Sequence, residues 1–181
     1  MGKVMEAITQ AVLLVGHGGL PKDIPQEIVE NFMRVHKQRV RSGNAITAQE
    51  KELDSTIRKW KRTPESDPYQ AGLESLASHM QPLLSDYILK VAYNEFCHPT
   101  IEAAVDELVE QGITKIILVT TMITRGGSHS ETEIPEEVNE LRTKYPAIDF
   151  QYAWPFSMVS FSTFLSNHIK SFQPKAAVNI D

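Results

Sequence analysis

The chain is poor in cysteine. Cys97 is the only one among 181 residues, so no internal disulfide can form, a cysteine-rich zinc site is excluded, and a reducing, cytoplasmic setting is the expectation. Long hydrophobic runs are lacking as well. The longest early one, residues 11–15, is far too short to span a bilayer, and Glu6 precedes it where a signal peptide would stay apolar. Basic residues do not dominate either: 18 Lys and Arg stand against 23 Asp and Glu, for a net charge of −5. That balance lacks the positive excess with which proteins meet phosphate backbones, so neither nucleic acid nor membrane is expected as a partner. Three familiar signatures are absent: Gly-x-x-x-x-Gly-Lys-Ser/Thr, Gly-x-Gly-x-x-Gly and Gly-x-Ser-x-Gly. Their absence removes the usual marks of nucleoside triphosphate chemistry, dinucleotide binding and serine hydrolysis. There is no internal repeat and no low-complexity tract.

What is present suits one globular unit. With 41% hydrophobic and 23% charged residues, the chain can bury one core but is short for two, so a single domain over 1–172 with a frayed tail at 173–181 is expected. The first strand reads as 7–15, an apolar run that delivers the tight loop Gly16-His17-Gly18-Gly19. Further strands are expected at 87–93, 115–121 and 148–153, with helices at 100–111, 133–144 and 159–172. Pro99 and Pro135 suit first helical turns, Ile101, Val105 and Leu108 form a stripe, and Gly112 supplies a stop. Strands alternating with helices make an α/β fold with a four-stranded parallel sheet the economical solution.

About seventy residues separate the first two strands, far more than one crossover needs. A helical insertion at about 26–66 is expected there, from helices at 26–41 and 47–62 hinged at Ser42-Gly43-Asn44, with a third helix at 69–84. Residues 34–62 hold nine Lys or Arg against three Asp or Glu, half of all the basic residues. A solvated face is the plain explanation for such a run. The sharper expectation is that Arg34, Lys37, Arg39, Arg41, Arg58, Lys59, Lys61 and Arg62 present charge to a ligand cleft.

Two histidines stand apart from the other four because glycines flank them just past apolar strands: His17, and His129 in Gly126-Gly127-Ser128-His129-Ser130-Glu131. In a parallel sheet both strand ends open on the edge where α/β proteins bind ligands. Two imidazoles and a carboxylate can hold a divalent first-row metal ion. Glu131 is the candidate carboxylate, although Glu131 and Glu133 also fit as acids in a first helical turn. His98, before Pro99 and past the second strand, is a weaker candidate for the same cleft. His36, His79 and His168 sit in helical segments and read as structural or exposed.

These segments together are familiar. Leu14-Val15-Gly16-His17-Gly18, Cys97-His98-Pro99-Thr100-Ile101-Glu102, Gln111-Gly112-Ile113-Thr114-Lys115 and Gly126-Gly127-Ser128-His129-Ser130-Glu131-Thr132-Glu133-Ile134-Pro135 resemble the CbiX-type sirohydrochlorin chelatases, in that family's order. The resemblance implies a chelatase-like three-layer fold and an ATP-independent lyase of cobalamin or siroheme biosynthesis. It would insert a divalent metal, cobalt or ferrous iron, into sirohydrochlorin or a related tetrapyrrole. The metal and the ring are then substrates, and no organic cofactor is implied. It also implies that His17 and His129 are the metal-binding pair, while the related protoporphyrin ferrochelatases place a functional glutamate in a comparable loop, which would match Glu131. Gly18, Gly19, Gly127 and Ser128, with His98, are weaker candidates for contact with the ring. By the same resemblance two copies are expected to pair as a homodimer, the alternative being a monomer whose cleft the inserted hairpin caps. The chain departs from the pattern where Gly18-Gly19-Leu20 replaces the usual Gly-Ser-Arg, which removes a basic residue, and where Trp154-Pro155-Phe156 replaces Pro-Leu-Gly. Ser66-Asp67-Pro68-Tyr69 is similar to a stretch of the protoporphyrin ferrochelatases, so a protoporphyrin enzyme is the alternative substrate reading, and a non-catalytic tetrapyrrole or metal carrier the alternative class.

Overall fold

Five consecutive apolar side chains make the centre of the sheet. Strand β1 (Gln10–Gly16) is central, with a parallel neighbour on each side, and residues 11–15 are buried on both faces because helices cover the sheet above and below. The neighbours are β2 (Ile88–Tyr93) and β3 (Lys115–Thr120), and β4 (Asp149–Tyr152) pairs with β3, which gives an all-parallel sheet of order β2-β1-β3-β4. The chain therefore leaves β1 in one direction to reach β2 and returns past it to β3. Loops diverge at that reversal and leave a crevice at the carboxyl ends of β1 and β3. A computed structural model describes residues 8–172. The expected tail at 173–181, and Ala7 at the start of the expected first strand, lie outside the described residues.

Helices cover the two faces unequally. Helix α4 (Ile101–Glu110) starts at Thr100, whose hydroxyl accepts from the Ala103 N–H, and it lays Ile101, Val105 and Leu108 on one face. Helix α5 (Ile134–Lys144) adds Ile134, Val138 and Leu141 to the same layer. The opposite face has a smaller cluster, in which Leu73 of α3 (Pro68–Met80) meets Leu14, Tyr93 and Cys97. Helix α3 ends at Met80, short of the expected 84, and a single 3₁₀ turn at Gln81–Leu83 follows, because Pro82 cannot supply the next helical N–H. Helix α6 (Met158–Ser171) buries none of its residues, and Phe164 and Ile169 are both more than half exposed.

The expected insertion forms a helical hairpin of α1 (Gln26–Ser42) and α2 (Ala48–Arg58). Gly43 ends α1 with φ 65°, a left-handed conformation that suits glycine. Apolar contact comes from Phe32, Val35 and Ile57, all buried. Between the helices lies Glu50, 1% exposed, whose carboxylate accepts from Arg39 at 2.9 Å and pairs with His36 at 2.9 Å. Burial pushes the Glu50 carboxyl up, but these two partners outweigh it and hold the group below its ordinary range. Helix α2 stops at Arg58, four residues before the expected end, so that the chain can turn Arg62 inward. The Arg62 guanidinium, 5% exposed, pairs with the buried Asp67 and donates to the carbonyls of Gly19, Ile57 and Phe96.

Candidate metal centre

Three strand ends bring three side chains together. His17 follows β1 directly, and its backbone N–H donates to the Tyr69 hydroxyl at 2.7 Å. The loop after β2 continues the sheet ladder beyond the strands: Asn94 N–H donates to Gly16 O at 2.9 Å and Glu95 N–H to His17 O at 2.7 Å. Gly18, at φ 92°, closes against that loop, and a Cβ built there would overlap the Glu95 carbonyl oxygen. No other residue type fits, because both the dihedral and the space belong to glycine. His129 reaches the same place from the far side of β3. It opens the π-helical turn His129–Glu133 that runs into α5, and this turn is pinned to β4 by the Tyr152 hydroxyl, which donates to Ser130 O at 2.9 Å. Irregular turns of this kind re-aim a side chain that a regular helix would carry elsewhere.

The imidazoles of His17 and His129 meet edge to face with centroids 4.8 Å apart. Glu95 joins them, and one ligand atom from each of the three residues lies within 4.8 Å of the others. His17 Nε2 is 3.7 Å from Glu95 Oε2. His17 Nδ1 lies 2.7 Å from Gly18 O, which can only accept, so in the neutral ring Nδ1 carries the proton and Nε2 presents its lone pair towards Glu95. Behind His129, Nδ1 is 2.8 Å from Glu133 Oε2 and 2.9 Å from Asn94 Nδ2, and Asn94 Nδ2 is itself 3.2 Å from Glu133 Oε2. Burial raises the Glu133 carboxyl, but hydrogen bonds from His129 and Asn94 outweigh it and hold it below the usual range.

The carboxylate that meets the histidines is thus Glu95 rather than the expected Glu131. Glu131 is exposed and stands outside the cluster. Its charge, after burial, helps push the Tyr152 phenol up to about 12. Gly19 lies beside Tyr69, while Gly127 and Ser128 are exposed in the loop that leads to His129. His98 is also exposed, in a shallow depression shared with Trp60, Arg62 and Gln70, away from the other two histidines. A signal for Glu95 was in the sequence: Asn94-Glu95 follow the second strand as His17 follows the first.

Two hollows flank the cluster. One, about 430 Å³, lies between the hairpin and residues 94–96 and is lined by Phe32, His36, Asp54, Glu95 and Glu133 among others. The second, on the far side of His129, is more apolar, with Met122, Ile123, Met158 and Phe161 in its wall. The expected basic wall forms only in part: Arg39 and Arg58 line the first hollow, but both are already paired. Arg39 is paired with Glu50, and Arg58 bonds Asp54 and donates to the carbonyls of Asn94 and Cys97. Arg62 is buried, and Arg34, Lys37 and Arg41 line a separate surface depression. Buried or fixed carbonyls and carboxylates claim the guanidinium groups first, because an unpaired internal acceptor is costly.

Residues 65–160, which include Glu95 and His129, match the CbiX family. The chain belongs to the CbiX family. Among curated relatives of this CbiX chain, the sirohydrochlorin ferrochelatase of Priestia megaterium is 32% identical over 71 residues, 39% of this chain and 26% of that protein. The sirohydrochlorin cobaltochelatase of the same organism is 24% identical over 92 residues, 51% of this chain and 30% of the relative. The aligned part therefore spans only about a quarter to a third of each of these relatives. A solved putative cobalamin (vitamin B12) biosynthesis CbiX protein from Marinobacter aquaeolei VT8 superposes with a TM-score of 0.55, over 90% of this chain and 95% of that one, at 13% identity. That likeness is one of fold: the three-layer parallel α/β architecture of this CbiX chain is shared.

Proposed function

We propose that this chain is an ATP-independent chelatase that inserts cobaltous or ferrous ion into sirohydrochlorin or a closely related tetrapyrrole. The observation that carries the reading is the meeting of His17, Glu95 and His129 at the carboxyl edge of the sheet. Two imidazoles and one carboxylate suit a first-row divalent ion, and three ligands leave positions open for transfer to a ring. The metal is a substrate here, and no organic cofactor enters. A free-base ring gives up two pyrrolic protons as it takes the ion, so the site must accept protons while it releases metal. Glu95 is the acceptor in contact with the histidines, and the exposed Glu131, two residues after His129, is a second one, able to pass a proton to water. The apolar wall of Met122, Met158 and Phe161 suits one face of the macrocycle. In this reading residues 1–172 act as one chelatase-like domain, with the α1–α2 hairpin as its insertion.

The test is the change in the visible bands of sirohydrochlorin with cobalt or ferrous ion, measured against the spontaneous rate. Catalysis is expected from the unaltered chain. His17→Ala and His129→Ala should each lose more than the roughly 100-fold typical of removing a supporting group. Glu95→Gln should cost more than Glu131→Gln. Metal binding without any acceleration, across sirohydrochlorin and protoporphyrin, would instead make the chain a carrier.

The reading extends to a pair of copies. The unburied apolar residues of α6 support it, since Met158 and Phe161 of that helix also line the hollow beside His129. Sedimentation should give twice the 20.4 kDa chain mass; a monomer at high concentration removes this part alone.

A further inference from the structure

We propose that Glu133 is a positioning residue that fixes the tautomer of His129, holding the Nδ1 proton against a competing amide so that Nε2 can meet the metal substrate. The inference rests on the metal-site reading above and goes one layer behind it. His129 Nδ1 faces two groups with opposite demands. The Glu133 carboxylate, at 2.8 Å, can only accept, so it requires a proton on Nδ1. The Asn94 amide nitrogen, at 2.9 Å, can only donate, so it requires a lone pair there. Both cannot be satisfied at once, and the choice between them decides which nitrogen of the neutral ring is basic. If Asn94 wins, the proton moves to Nε2 and His129 has no lone pair left for an ion.

The geometry favours Glu133. A bond to an ionised acceptor is roughly twice as strong as a neutral one, and the Asn94 amide has another acceptor, Glu133 Oε2, at 3.2 Å. With the proton on Nδ1, Asn94 and His129 both donate to the same carboxylate, and neither donor is left without an acceptor. Nε2 then carries the lone pair, and no hydrogen bond engages it among the described residues. The four-residue offset between His129 and Glu133 lies within the π-helical turn, so the turn that aims the imidazole also supplies its orienting carboxylate. His17 gains the same tautomer by a different device, its Nδ1–H directed at Gly18 O at 2.7 Å. The two rings are therefore set to present matching nitrogens.

Metal-free, ¹⁵N-histidine-labelled protein at a pH where the rings are neutral provides a readout independent of turnover, because long-range proton–nitrogen correlations distinguish the two tautomers. The unaltered chain should show His129 as the Nδ1–H form. Glu133→Ala should convert it to the Nε2–H form and weaken cobaltous ion binding, followed by its visible absorption, by about 10–100-fold. Removing the competing donor as well, in Glu133→Ala/Asn94→Ala, should return part of that loss. Glu133 is partly exposed, so unchanged melting of the variants is the control for folding. An Nε2–H form in the unaltered chain, or an unchanged tautomer in Glu133→Ala, would overturn the proposal. An Nδ1–H form with tight cobaltous binding but no insertion into any ring would defeat the chelatase reading and leave the role of Glu133 standing.

Discussion

A single glutamate on α5 shows how far a residue's surroundings can outweigh its type. Burial, with the neighbouring charges of Glu102 and Glu140, pushes the Glu137 carboxyl up to about 7, although Arg58 and a bond from the Glu102 N–H act the other way. A carboxyl whose folded value exceeds its unfolded one favours folding below the unfolded value, near 4.5, and that contribution is lost as pH rises through 7. Glu137→Gln should therefore leave stability nearly unchanged at pH 4.5. At pH 8 it should stabilise the chain by on the order of 1–2 kcal/mol after allowance for solvent screening. Chemical denaturation at the two pH values checks this, and an equal effect at both would remove the ionisation argument. Legibility at this scale was uneven. His17 and His129 could be read because glycines isolate them at strand ends. Glu95 could not be read so directly, because nothing local distinguishes it from a surface acid, and its place depends on a backbone ladder between two loops. Glu133 looked like a first-turn acid because its role appears only once the turn is known to be π-helical.

Among the elements, strands and helices could be read and the chemistry of the hairpin could not. Apolar runs, caps and Gly43 placed nearly every element within a few residues, since local geometry and burial agree there. The hairpin's basic run looked like a field aimed at a ligand because sequence counts charges without showing what they face; only Arg39 and Arg58 of it reach the hollow beside the cluster, and each is already paired with a carboxylate. In the fold, Arg62 works as a strut that ties the end of α2 to the loops after β1 and β2. Arg62→Ala should destabilise the chain by about 3–5 kcal/mol, because it leaves buried Asp67 without its counter-charge. Arg62→Lys should recover little, since one ammonium cannot reach the same fork of acceptors. Urea unfolding of both variants decides the matter, and losses near 1 kcal/mol would mean that water takes over the strut's bonds.

Over the whole molecule, the alternation of strands and helices foretold a parallel sheet, but not that β1 would lie between β2 and β3. That order decides which loops converge, since sequence neighbours need not be neighbours across a sheet. Residues 17, 95 and 129 are far apart along the chain and come together only when all three strand ends are in place. An unfolded chain holds them too far apart, and too variably, to grip one ion. The site is therefore a reporter on folding itself: an ion that binds only the native form draws the equilibrium towards it by mass action. At free cobaltous ion 100 times the dissociation constant, the gain should be about 2.7 kcal/mol. For a chain of this size that is a rise in melting temperature on the order of 5–10 °C. The rise should climb with metal concentration, need no tetrapyrrole, and vanish in His17→Ala. A calorimeter could thus rank the affinities of candidate metals before any ring is supplied, with the stability of the fold serving as the indicator dye.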